Sequence, residues 1–127
     1  MAQVLAGRER ETRDTLEQGL ELLPDSRPLR HLLARLLAAA VDDTVRDGVR
    51  AVELAQEVFG ESADADSAET VAMAWAESGD FEAAIRWQER AASLLPDGAP
   101  DIRLADARQR LVLYQSGRPC RAPWHDG

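Results

Sequence analysis

ADSAETVAMAWAESGDFEAAIRWQERAASLLP, residues 65–96, decides the fold. Apolar residues recur at helical spacing on both sides of a Ser78-Gly79-Asp80 break. Asp66, with Glu69 three residues later, has capping-box spacing with Asp in place of the usual Ser or Thr. It is expected to open a helix through Val71, Ala72 and Trp75. Gly79 suits the left-handed conformation that ends a helix, and Asp80 suits the cap of the next. That next helix carries Phe81, Ala84, Ile85, Trp87, Ala91 and Leu95, then stops at Pro96-Asp97-Gly98.

The same punctuation extends in both directions. Towards the N-terminus, Thr12, Leu16, Leu20 and Leu23 share a face over Arg8–Leu23, and Pro24-Asp25 ends that helix. Pro28, suited to a first-turn position, starts a second helix running to about Val41 through Leu29, Leu32, Leu33, Leu36, Leu37 and Ala40. Asp47 caps a third, with Val49, Val52, Leu54, Ala55 and Val58, and Gly60 is expected to end it. Towards the C-terminus, Pro100 starts a sixth helix with Ile102, Leu104, Ala107, Leu111 and Tyr114, ending near Gly117. About six helices and no strand make the chain all-α. Residues 118–127, with two prolines, are expected to lie extended.

An internal repeat underlies these helices. Gly79, Ala84, Ala91 and Pro96 have the same spacing as Gly7, Thr12, Gly19 and Pro24. Residues 65–96 resemble a tetratricopeptide repeat, a 34-residue helix–turn–helix. The resemblance rests on Ala68, Val71, Ala72 and Trp75, then Gly79, then Phe81, Ala84, Ala91 and Pro96. Ala68 stands where the family favours Trp, and Gln88 where it favours an aromatic. Residues 27–62 form a less regular repeat, with about five extra residues around Asp42 to Arg46. Residues 1–26 are an incomplete one, and 100–117 match the helix that closes such stacks.

The resemblance implies a right-handed α-α superhelix in which Ala72, Ala84 and Ala91 mark the close approach of paired helices. Trp75 and Phe81 fill the space between neighbours. It also implies a concave groove lined by His31, Arg35, Ala38, Glu69, Met73 and Glu77. Such a groove binds a peptide or helix of a partner protein, here one expected to be basic. The family's clamp for a C-terminal carboxylate uses Lys and Asn, and this chain contains neither. An alternative is a self-associating module, homodimeric through the incomplete N-terminal repeat, or a piece of a larger repeat protein.

Charge narrows the partners further. The net charge is -8, with residues 1–98 carrying 20 acidic side chains against 10 Arg and residues 99–127 carrying three against five. A mostly acidic surface repels phosphate backbones and anionic membranes. The basic end is suited to docking on something acidic, such as a neighbouring copy's body. No apolar run is long enough to span a bilayer, and the opening residues lack a signal-peptide pattern, so a cytoplasmic setting is expected.

Candidate chemistry is sparse. Cys120 and His125 sit in the proline-broken tail without a third group to orient the imidazole, as nucleophilic catalysis would need. Two His and one Cys fall short of a zinc site. Asp42, Asp43, Asp64 and Asp66 lack the glycine and distal Glu of a calcium loop, and helix capping explains them better. No catalytic, cofactor or metal site is expected. Trp75 and Trp87 are read as packing residues, and Trp124 as a cover for an apolar patch.

Overall fold

The computed structural model describes the backbone of residues 2–124 and the side chains of residues 7–124. Six helices follow one another with no strand among the described residues: α1 (Ala2–Leu22), α2 (Arg27–Ala39), α3 (Gly48–Glu61), α4 (Ala65–Glu77), α5 (Phe81–Leu94) and α6 (Asp101–Gln115). Each helix packs on the next, and α2 also packs directly on α4.

Local chemistry sets most of the ends. The Ser26 hydroxyl accepts from the Leu29 amide, and Pro28 occupies the first turn of α2. Asp47 and Asp80 cap α3 and α5 through the amides of Arg50 and Ala83. Gly79, at φ 88°, makes the turn from α4 into α5 that a side chain would strain.

Three boundaries differ from the sequence expectation. The α1 helix starts at Ala2 rather than Arg8, and Gly7 lies inside it rather than in a turn. A single glycine costs a helix only about 1 kcal/mol, which the good helix formers around it outweigh. Gly60 likewise lies within α3, which continues to Glu61. The capping box of α4 is formed by Asp64 and Ser67, not Asp66 and Glu69. Asp66 and Glu69 point instead towards α6, where Arg103 meets both.

The core runs through α2, α3, α4 and α5. Leu33, Leu36, Val58, Val71 and Met73 are fully buried, and so are Ala34, Ala38, Ala51, Ala55, Ala68, Ala72, Ala84 and Ala91. Alanine at these positions lets backbones approach closely, so added methylenes would force the helices apart. Trp75, Phe81 and Trp87 pack at the margin of this core. The Trp87 ring meets Phe59 of α3 edge-on at 4.9 Å, and the Arg90 guanidinium lies over both rings.

The longer connection between α2 and α3 is ordered by its own side chains. Val45 is buried, and Arg46 Nη1 donates to the carbonyls of Ala40 and Val41 at the end of α2. Glu9 of α1 accepts from the amides of Val41 and Asp42. A bidentate pair between Arg50 and Glu17 ties α1 to α3.

Candidate functional site

The face shared by α2, α4 and α6 gathers the residues singled out from the sequence, together with the C-terminal tail. Asp66, Glu69, Thr70, Met73 and Glu77 recur every three or four residues, so they form one stripe along α4. His31, Arg35 and Ala38 form the matching stripe on α2. The stripes meet at Thr70, whose hydroxyl donates to the Asp66 carbonyl at 2.9 Å. Its lone pairs then accept from Arg35 Nη1 at 3.0 Å and meet His31 Nε2 at 2.8 Å. This network assigns the proton of the neutral imidazole to Nε2. Burial, followed by the nearby Arg35 and Arg27 charges, holds His31 below its ordinary pKa, against the opposing pull of Asp64 and Asp66.

A second cluster lies between α4, α5 and α6. The Glu69 carboxylate is fully buried; its Oε2 accepts from Arg103 Nη1 at 3.1 Å and Gln88 Nε2 at 3.3 Å. Arg110 Nε stands 3.7 Å from the other oxygen and 3.2 Å from Asp106. Gln88 also donates to the Ala107 carbonyl at 3.1 Å. An aromatic ring here would leave Glu69 and Ala107 without that donor. Despite burial, the surrounding groups, Cys120 and Glu69 foremost, hold Arg110 above its ordinary value. Burial pushes the Tyr114 phenol up.

The chain after α6 turns back over this face. Gly117, at φ 70°, reverses the direction, and the Arg118 amide bonds to the Leu113 carbonyl. Cys120 is buried, with Arg110 Nη1 3.1 Å from its sulfur. Arg121 pairs with Glu77 at 2.8 Å, a carboxylate that also meets Arg46 at 3.3 Å. The Pro123 carbonyl accepts from Arg35 Nε at 2.6 Å. Trp124 then lines a cavity of about 370 Å³ with Pro28, His31, Leu32, Arg35 and Asp66. The tail thus passes from α6 over the end of α4 to α2, running opposite to the direction of both.

Of the six residues expected to line an open groove, Arg35, Ala38, Glu69 and Met73 are buried, while His31 and Glu77 are half-buried. The tail's anchors on Glu77 and Arg35 bracket Met73 and Ala38. The tail's expected extended path takes no account of this docking. Four groups went unnoticed in the sequence: the acceptor Thr70, Arg103, Arg110 and the anchor Arg121. The one signal for the arginines was the excess of Arg over acid after residue 98.

The other candidates separate. Cys120 faces Arg110, and His125 lies outside the described residues. Asp64 caps α4 and Asp42 binds Thr44 and Arg10, whereas Asp43 pairs with Arg46. No three His, Cys, Asp or Glu side chains among the described residues converge as metal ligands. No helix among them is long and apolar enough to cross a membrane. Comparison with family models, curated proteins and solved structures finds no match.

Proposed function

We propose that this chain is a protein-interaction module, a short right-handed superhelix of the tetratricopeptide-repeat kind. Its concave face, made by α2, α4 and α6, takes an extended segment of a partner protein. Helix pairs α2–α3 and α4–α5, with α2 packed directly on α4, support this reading. One observation carries the reading: a stretch of irregular chain, residues 120–124, crosses from α6 over α4 to α2. It is held as a peptide would be, a main-chain carbonyl by Arg35 and a cationic side chain by Glu77.

Random-peptide display on the full chain tests the proposal. Selected peptides are expected to lose about tenfold in affinity on Glu77→Arg, which turns a partly solvated attraction of up to about 1 kcal/mol into a repulsion of similar size. Failure to enrich any peptide, or binders indifferent to both Glu77→Arg and Arg35→Ala, would count against it.

A further inference from the structure

We infer that the tail is a displaceable stand-in for the partner, and that the partner segment carries Arg-x-Pro-aromatic, the pattern of Arg121-Ala122-Pro123-Trp124. This inference rests on the peptide-binding reading above and names the ligand of that face. Each position of the pattern has a counterpart. The Arg meets Glu77, which lies at the C-terminal end of α4, where the helix dipole adds to the attraction for a cation. The Pro carbonyl takes the Arg35 Nε–H. Proline has no N–H of its own to leave unpaired against the helices, and its fixed φ keeps the segment extended. The aromatic residue forms one wall of the cavity that Pro28 and Leu32 also line.

The tail fills this site incompletely, which is why it is displaceable. Arg35 Nη2 is buried without a hydrogen-bond partner. Trp124 remains 40% exposed and leaves the cavity beside it open. The Arg121–Glu77 pair is partly solvated, with Arg121 36% exposed, and such pairs hold weakly. Of residues 118–124, only Cys120 and Pro123 are buried. Tethering compensates for weak contacts: a segment joined through Gly117 competes at an effective concentration in roughly the millimolar range. A free peptide of the same pattern therefore displaces the tail at millimolar concentration, and a partner that fills the cavity does so at less.

Cys120 is the chain's single cysteine and is buried under the docked tail, so its thiol reports tail release. The probe is the heptapeptide RPSRAPW, the tail sequence with serine at the cysteine position, added to the full chain with a thiol-reactive disulfide reagent. At about ten times its dissociation constant the peptide should raise the open population, and with it the Cys120 reaction rate, about tenfold and saturably. The same peptide with Glu for its second Arg should leave the rate at baseline. In the Glu77→Arg chain the preference between the two peptides should reverse. As a variant that leaves the helices untouched, Arg121→Glu should raise Cys120 reactivity without any peptide.

An unchanged thiol rate at saturating peptide, with helicity intact, overturns the inference, as does an equal response to both peptides. If display instead enriches segments lacking Arg-x-Pro-aromatic, the interaction reading stands and this inference falls. If nothing is enriched and nothing displaces the tail, both fall.

Discussion

Replacing Glu69 by Gln tests whether the buried carboxylate holds α4, α5 and α6 together. The side chains are nearly isosteric, so the change removes charge without opening a cavity. Opposite charges at 3.1 and 3.7 Å, the separations from Arg103 and Arg110, attract by roughly 5 kcal/mol each at an effective dielectric near 20. Against this, burying a carboxylate costs several kcal/mol. Both guanidinium groups keep a second acid, Asp66 for Arg103 and Asp106 for Arg110, which limits the damage. The balance is a loss of about 3 kcal/mol, the low end for breaking a buried pair. For a chain of this length that is a fall in Tm of roughly 10 °C. Urea unfolding followed by circular dichroism measures it, with the exposed Glu82→Gln as a control expected within about 0.5 kcal/mol of the parent. Because the pair is buried, the loss should persist at high salt. A cost below about 1 kcal/mol, or one that vanishes with salt, would refute the reasoning that the carboxylate's partners outweigh its desolvation.

Further changes probe the packing and the titration. A Cβ on Gly48 would lie 2.7 Å from Ser78 Oγ and 3.1 Å from the Ser78 amide nitrogen, so Gly48→Ala should cost about 1–3 kcal/mol in urea unfolding. A methyl group on Gly7 would meet nothing within 4 Å, and the residue lies inside α1, so Gly7→Ala should stabilise by about 0.5–1 kcal/mol. Destabilisation there would favour the turn read from the sequence. Leu36 is fully buried in α2, and Leu36→Ala should cost about 2–5 kcal/mol, read as a fall in urea midpoint at constant m-value. His31 has a folded pKa below its ordinary 6.5, chiefly through burial, so the unfolded chain takes up the proton first as pH falls. This contribution to stability is complete above pH 6.5 and declines below it until the folded imidazole also protonates. Thermal unfolding at pH 7.5 and 5.5 should therefore show a smaller drop for His31→Gln than for the parent; equal drops would contradict the assignment.

How far the sequence could be read depended on how local each determinant was. The caps at Asp47 and Asp80, the proline at the start of α2 and the turn at Gly79 each act within four residues, and all were legible. The start of α4 was read as Asp66 with Glu69, whereas the helix is capped by Asp64 and Ser67. Asp66 and Glu69 are instead drawn towards α6 by Arg103, far along the chain. Glu69 illustrates the same limit in the site. On a helical stripe it reads as a solvated groove residue, because its partners Gln88, Arg103 and Arg110 lie 19 to 41 positions away in the chain. Gln88 stood out in the sequence as a polar residue, but its role required seeing the buried carboxylate it serves.

The charge asymmetry connects these points. A body carrying a net -10 is followed by 29 residues carrying +2, and three of the five Arg in that last segment settle on one stripe of α4. Arg103 takes Asp66 and Glu69, Arg110 approaches Glu69, and Arg121 takes Glu77. The first two lie on α6 and are fixed by its packing, so their pairing is part of the fold. Arg121 lies on irregular chain and pairs through a partly solvated contact, so its attraction is available to any cationic segment that reaches Glu77. The same acidic stripe therefore does two things in sequence along α4: its first half fastens the last helix, and its far end is left with a carboxylate whose tail partner is the weakest held. Exchange at this face is consequently expected to begin at Glu77 and Arg121 and to leave the Glu69 cluster in place.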